Sequence, residues 1–248
     1  LPKRGDEIGE LARALSQGAV DLATSRDAQR RLLSDVSHEL RSPMARMQVA
    51  LDLADCNEDD PNWQQLSRDT ERLSVIIERI LSLSRLENGL VELNHENLDS
   101  GELVQQLIGD MCYQNPEVGG RLIQQNGDWP IIDTDSELLR LVLENIVRNA
   151  LHYTDDKVEL SYDDYGEGCR IRIRDHGPGV DESTLEKLFV PFYRGDPARH
   201  HKAGVGLGLA LSHRAAAVLG GELKASNHSE GGLEVVLDLP KSQPEPNT

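Results

Sequence analysis

Residues 34–48 read SDVSHELRSPMARMQ, a histidine followed directly by an acid and, one turn later, by a proline. An imidazole with one unprotonated nitrogen can attack a γ-phosphorus, provided the other nitrogen loses or shares its proton. His38 is therefore read as the acceptor of a phosphoryl group from a nucleotide held elsewhere in the chain. The chain holds eight histidines, and a lone His-Glu pair on a helix is ordinarily a solvated surface pair. What separates His38 is its setting. Leu32, Leu33, Val36, Leu40, Met44 and Met47 make an apolar stripe at helical spacing, with His38 beside it. Pro43 has no N–H for the carbonyl of Glu39 and its ring crowds that carbonyl, so the helix should bend or loosen there. That is either a plain kink or a bend that lets His38 move against whatever docks on it.

Three features further on point to the nucleotide. Asn145 and Asn149 are four residues apart on one helix face, where their amide oxygens could meet a hard cation. Asp175-His176-Gly177-Pro178-Gly179 follows a strand, and its glycines permit a tight turn and close approach of a flat ligand. Gly204-Val205-Gly206-Leu207-Gly208-Leu209 opens a helix, whose unpaired amides and positive end can receive phosphates. Each alone has an ordinary reading: solvent contact, a common turn, a flexible loop. Ahead of the third lie Arg194, Arg199, His200, His201 and Lys202, a cationic cluster in an acidic protein, which favours a polyanionic ligand.

Composition bounds the class of molecule that carries these residues. With 248 residues the chain can form two modest domains, each with its own core. Its 43 acidic and 26 basic residues give a net charge of −17, which disfavours non-specific binding to nucleic acid or an anionic membrane surface. Cys56, Cys112 and Cys169 are widely spaced without a metal or redox pattern and read as thiols of a reducing cytoplasm. No run of about 18 apolar residues spans a membrane and no secretion signal is present. The chain begins at Leu1, from which an excised piece of something longer is expected.

The positioning elements follow in order. Residues 1–20 form a turn-rich opening with Ile8, Leu11 and Leu15 at helical spacing. A long helix is expected over 21–56, a turn through 57–61, and a second helix carrying Trp63, Leu66, Thr70, Leu73, Ile76, Ile77, Ile80, Leu81 and Leu83 up to Asn88-Gly89. An antiparallel hairpin cannot bury so broad a stripe alone, so a four-helix bundle from two chains is predicted. Beyond Gly89 the pattern predicts a strand over 91–98, then a capping box of Asp99 and Glu102 for a helix through Met111. A short strand at 121–125 precedes a helix opened by Thr134 with Glu137 and running to Tyr153. A hairpin of 157–163 and 169–175 comes next, then helices near 181–188 and 207–219. Strands at 221–227 and 232–239 and a disordered tail at 241–248 close the chain. The whole is α+β, a helical hairpin followed by a two-layer α/β sandwich.

In this order the motifs resemble those of the cytoplasmic part of a bacterial sensor histidine kinase. SHELRSP is similar to the phosphoacceptor box, ENIVRNALHYT to the N box, DHGPG to the first glycine box, LFVPFYRGD to the F box and GVGLGL to the second glycine box. DEIGEL near the start resembles the end of a HAMP module, and LLSDVSHELRSPMARMQ with LENIVRNALHYT looks like the Cpx-type envelope-stress kinases. The resemblance implies the end of a HAMP module and linker at 1–24 and a dimerisation and histidine phosphotransfer domain at 25–89. A Bergerat (GHKL) ATP-binding domain would span 90–240. It further implies ATP and Mg²⁺ as cofactors, a homodimer, and a response regulator whose receiver aspartate takes the phosphoryl group. The full-length protein would sit in the bacterial inner membrane through a transmembrane region absent here, with this soluble piece in the cytoplasm.

Residue by residue, the resemblance gives Asp175 the adenine amino group, Asn149 the Mg²⁺, and Asn145 a place beside the phosphates. His152 and Tyr153 would lie along the nucleotide, with Gly177 and Gly179 in the turn beneath it. Phe189 and Phe192 would anchor a mobile lid over roughly 194–204, whose Arg194, Arg199 and Lys202 neutralise charge on the transferring group. Gly204, Gly206, Leu207, Gly208 and Leu209 would border the phosphates. Glu39 is the implied acid–base partner of His38 and is otherwise a surface ion pair with Arg41 or a neighbouring basic residue. In related ATPases a glutamate at the place of Asn145 activates water; an amide cannot take that proton, so ATP is kept for His38. Ser42 stands where the family more often has Thr or Asn, and it keeps the hydroxyl that phosphatase activity toward the regulator needs. His152 in place of Lys and Leu233 in place of Thr are smaller departures. The alternatives are a degenerate kinase serving as a dimeric docking scaffold, and a plain ATPase or chaperone of the same nucleotide fold.

Overall fold

A computed structural model describes Ala45, Met47, Val49 and residues 61–125, 127–165, 168–195 and 205–240. His38, Glu39, Ser42, Arg199, Lys202, Gly204 and the tail lie outside the described residues. The chain divides into two compact units, one ending at Leu90 and one beginning at Val91.

In the first unit, Ala45, Met47 and Val49 are helical, and helix α1 runs Pro61–Glu87. Pro61 suits the first position because its missing N–H falls among those a helix start leaves unpaired. The helix ends where Gly89 takes a φ of 62° and the Leu90 N–H reaches back to the Arg85 carbonyl at 2.9 Å, which closes the last turn. Leu66, Leu73 and Ile80, seven residues apart, are 53%, 51% and 40% exposed. A seam at seven-residue spacing matches the repeat by which one helix packs along another.

The second unit has a layer of helices on a five-stranded sheet. Strand β1 (His95–Asp99) leads into helix α2 (Ser100–Gln114), followed by β2 (Leu122–Gln124), β3 (Ile131–Asp135) and helix α3 (Ser136–Tyr153). Then come β4 (Val158–Tyr165), β5 (Gly168–Asp175), the single turn α4 (Glu182–Leu185), helix α5 (Gly208–Val218), β6 (Glu222–Asn227) and β7 (Leu233–Pro240). The sheet order is β2-β4-β5-β7-β6, and only the β2–β4 pair is parallel. Alternation explains its two faces: on β5, Cys169, Ile171 and Ile173 are buried while Arg170, Arg172 and Arg174 point the other way. Those arginines pair with Asp238, Asp163 and Glu234 on neighbouring strands and with Glu230 in the turn between β6 and β7. The inner face meets Leu139, Val142, Leu143, Ile146 and Val147 of α3 and Leu211, Ala215 and Ala216 of α5, all buried.

Five points need correction. The strand expected over 91–98 starts only at His95, because its partner β3 ends at Asp135, opposite His95. Strand β3 itself was not expected; it forms a separate two-stranded sheet with β1. The Asp99 side chain accepts from the Gly101 and Glu102 amides, but Glu102 turns to Gln106 instead of reaching back, so the box is half made. The cap of α3 is Asp135, which accepts from the Leu138 amide at 2.8 Å; Thr134 belongs to β3 and its hydroxyl is buried without a partner. The helix expected over 181–188 is one turn capped by Asp181, after which the chain continues in turns to Pro191 and Phe192. Among the described residues no helix is long and apolar enough to cross a membrane.

Candidate functional site

Helix α3 is the spine of the site. Its core face is fixed by Val142, Leu143, Ile146, Val147 and Ala150, which leaves Asn145, Asn149 and His152 half-buried on one flank at i, i+4 and i+7. No hydrogen bond within the described residues engages the amide of Asn145 or Asn149, so both remain available to a ligand. At the Asn145 end, helix α5 begins. A Cβ on Gly208 would lie 3.2 Å from Asn145 Oδ1, which is how closely the start of α5 approaches α3. Leu207, at the cap position, offers no side-chain bond to the first turn, so that end of α5 keeps unpaired amides and positive potential beside Asn145. Ser212, one turn on, donates to the Val142 carbonyl at 3.3 Å and locks the two helices in this register.

At the other end of α3 lies Asp175, the last residue of β5 and only 3% exposed. Its Oδ1 accepts from the Gly177 amide at 2.9 Å and from the Leu233 amide at 3.1 Å. Both bonds fall on Oδ1, and Oδ2 takes neither. The turn is packed so tightly that a Cβ on Gly177 would stand 3.0 Å from both Asp175 Oδ1 and the Tyr153 carbonyl. Gly232, with a φ of 88°, would place a Cβ 1.8 Å from the Asp175 carbonyl oxygen, so this approach is open to glycine alone. The departure at Leu233 leaves this intact, since it is the backbone N–H that holds Asp175. The turn is closed by Asn227, whose side chain accepts from the Val180 amide at 2.9 Å and donates to its carbonyl at 2.6 Å. Gly179 sits against that same side chain with a φ of 69°.

The third group lies between α4 and α5. Phe189 stacks on His213 with ring centroids 5.0 Å apart. Phe192 holds a φ of 63° and donates from its backbone to the Gly206 carbonyl at 2.9 Å, while the residue as a whole is 57% exposed. Gly206, at a φ of 77°, would drive a Cβ to 2.7 Å from the Tyr193 carbonyl. The chain on either side of residues 194–204 is thus pinned together at its base. Arg194 follows directly, and its Nε and Nη2 are shielded from solvent with no hydrogen-bond acceptor. His176, beside Asp175, faces Glu159 at 3.5 Å. Bonding from Lys157 holds the Glu159 carboxyl below its usual range.

The structure therefore brings Tyr153, Asp175, Gly177 and Gly179 to one end of α3 and Asn145, Leu207 and Gly208 to the other. Asn227, Thr184 and Tyr193 were missed in the sequence. Each works through contacts with residues far along the chain or through a bond no motif marks.

Residues 28–89 match the His Kinase A (phospho-acceptor) domain, and residues 134–243 match the histidine kinase-, DNA gyrase B-, and HSP90-like ATPase family. The sensor histidine kinase CpxA of Escherichia coli is 35% identical over 219 residues, 86% of this chain and 47% of its own length. The sensor protein PfeS of Pseudomonas aeruginosa is also 35% identical, over 97% of this chain and 53% of its own length. The chain spans about half the length of the curated relatives it matches. Among solved structures, full-length ShkA in complex with AMPPNP superposes with a TM-score of 0.73 at 25% identity, covering 85% of this chain and 45% of that one. The histidine kinase AdeS of Acinetobacter baumannii shares the fold, with a TM-score of 0.62 at 23% identity over 82% of this chain and 98% of its own.

Proposed function

The chain belongs to the sensor histidine kinases, with a phospho-acceptor domain ahead of an ATPase-type domain, and on that premise we propose that it phosphorylates its own His38 from ATP and passes the group to an aspartate of a response regulator. The observation that carries this reading is the arrangement along α3. The buried carboxylate of Asp175 stands at the Tyr153 end, and the uncapped start of α5 stands at the Asn145 end. Eight residues of helix separate the two ends by ~12 Å, so a base at one and a polyphosphate at the other can be held together.

Asp175 Oδ2 accepts the adenine amino group while Oδ1 stays bound to Gly177 and Leu233. Gly177 and Gly179 let the base approach the turn, and His152 and Tyr153 flank it. The amides that open α5 and the guanidinium of Arg194 meet the phosphates; shielded nitrogens without an acceptor fit an anion that brings its own oxygens. Arg199, Lys202 and Gly204 would complete this anion site. Phe189 and Phe192 fix the base of the segment between them and α5.

Among the described residues no cluster of three or more His, Cys, Asp or Glu side chains could hold a metal ion. The amide oxygen of Asn149 fits a Mg²⁺ that arrives largely coordinated by phosphate and water. That ion would supply charge neutralisation on the transferring phosphoryl group. Glu39 takes or shares the second imidazole proton of His38 as the first nitrogen attacks. Asn145 cannot accept a proton from water, which keeps the nucleotide from plain hydrolysis. The hydroxyl of Ser42 supports phosphatase activity toward the regulator.

Two copies pair through the first unit, which the exposed Leu66, Leu73 and Ile80 support. The resemblance of DEIGEL to the end of a HAMP module supports a place for the whole protein in the bacterial inner membrane, with these residues on its cytoplasmic side. The test is His38→Gln. Acid-labile labelling by γ-labelled ATP should vanish while nucleotide binding persists. Unchanged labelling overturns His38 as acceptor, and phosphate release undiminished by the substitution would favour an ATPase.

A further inference from the structure

Thr184 lies in the single turn of α4, outside every residue assigned to the nucleotide above, yet Asp181, Tyr193 and Gly195 all meet it. It is 4% exposed. Its amide donates to Asp181 Oδ1 at 2.9 Å and its hydroxyl donates to Asp181 Oδ2 at 2.9 Å. The same hydroxyl is 3.1 Å from the Tyr193 hydroxyl. A carboxylate only accepts, so the Thr184 proton is spent on Asp181 and the remaining bond must run from Tyr193 O–H to Thr184 Oγ1. Hydrogen bonds from Ser183 and then Thr184 hold the Asp181 carboxyl below its usual range, which keeps that direction fixed at neutral pH. On its other side the Thr184 methyl meets Gly195, where an added Cβ would stand 2.9 Å from Cγ2. Tyr193 and Gly195 are the two chain neighbours of Arg194. One side chain therefore meets both neighbours of the arginine, the Tyr193 side-chain hydroxyl before it and Gly195 after it.

We propose that Thr184 is a positioning residue for phosphoryl transfer, holding Tyr193 through its hydroxyl and Gly195 through its methyl so that the Arg194 guanidinium is aimed before ATP arrives. This rests on the reading of Arg194 as a phosphate ligand. A charge placed in advance where negative charge develops costs no reorganisation during transfer, and such placement depends on the contacts behind the charged residue. The brace also explains why position 195 is a glycine without a positive φ: the threonine methyl occupies the room a side chain would need.

The experiment compares autophosphorylation kcat, the KM for ATP and the melting temperature in the full chain for Thr184→Val, Thr184→Ser, Tyr193→Phe, Arg194→Ala and the Thr184→Val/Arg194→Ala pair. Thr184→Val and Tyr193→Phe should each lower kcat about three- to tenfold, the size of one hydrogen bond. Thr184→Ser should restore most of the loss from the hydroxyl. The loss should disappear when Thr184→Val is made in Arg194→Ala, because there is no guanidinium left to aim. The proposal is overturned if Thr184→Val lowers the melting temperature without changing kcat. It is overturned equally if the variant lowers kcat by the same factor with or without Arg194. Should Arg194→Ala itself leave kcat and KM untouched, it is the phosphate role of Arg194 that fails, and the positioning role falls with it.

Discussion

Replacing Asp175 by Asn tests the base-binding end of the site with a change of one atom. The buried Oδ1 must keep accepting from the Gly177 and Leu233 amides, 2.9 and 3.1 Å away. In Asp175→Asn only the amide oxygen can do so, which forces the NH2 group into the position now held by Oδ2. An acceptor facing the base thereby becomes a donor. The adenine amino group, itself a donor, then meets a donor, and the bond to a charged acceptor, worth about 1.5–3 kcal/mol, is lost. That corresponds to roughly 10- to 150-fold in affinity. Hypoxanthine carries a carbonyl where adenine carries the amino group, so inosine triphosphate should gain where ATP loses. Titration of the wild type and the variant with both nucleotides, in equal magnesium, reads the ratio of dissociation constants. The expected result is a preference for ATP in the wild type that shrinks or reverses in the variant. Equal losses for the two nucleotides in a variant that stays folded would refute the claim that this carboxylate reads the base.

Asn149→Ala should weaken nucleotide binding in the presence of Mg²⁺ and have little effect in excess chelator; the same affinity difference in both conditions removes the metal role of that amide. Gly232→Ala faces an atom 1.8 Å away as well as a φ of 88°, so chemical denaturation should show a loss above ~3 kcal/mol, whereas exposed Gly109→Ala, with nothing within 4 Å, should gain ~0.5–1 kcal/mol. Asp238 is held below its usual range chiefly by Arg170, which it binds at 2.5 and 2.8 Å. A depressed carboxyl stabilises the fold above its unfolded value of about 3.9, and the contribution is lost as pH falls through the lower folded value. Asp238→Asn should therefore cost ~2 kcal/mol at pH 7, with the gap in melting temperature closing below about pH 4. A gap that stays constant into acid would show that the charge is not what matters there.

How much of this was legible in the sequence depended on how far apart the interacting residues lie. Helices α1 and α3 and the β4–β5 hairpin announce themselves through apolar period and turn residues, because each signal is complete within a short window. Asn145, Asn149 and the DHGPG turn could likewise be singled out, since residue type and local spacing carry their chemistry. Strand β3 could not: its five residues, IIDTD, alternate weakly and pair only with β1, some 36 residues earlier. The clamp of Asn227 on Val180 and the hold of Leu233 on Asp175 span 47 and 58 residues, and nothing local distinguishes an asparagine at a strand end from any other.

Phe192 is the sharpest instance. A phenylalanine at a φ of 63° sits in a region that non-glycine residues enter at a cost of about 1–3 kcal/mol, and its own sequence context gives no warning of it. The cost is tolerable because the Phe192 N–H meets the Gly206 carbonyl at 2.9 Å, and Gly206 can adopt the matching left-handed conformation beside the Tyr193 carbonyl. The glycine that marks a phosphate loop in the sequence thus has a second duty in the fold, which only the strained residue across from it discloses. Strain of this kind survives where the surroundings over-determine it. Here they do so at the two residues just ahead of Arg194, where a fixed backbone direction would decide whether a guanidinium reaches the phosphates.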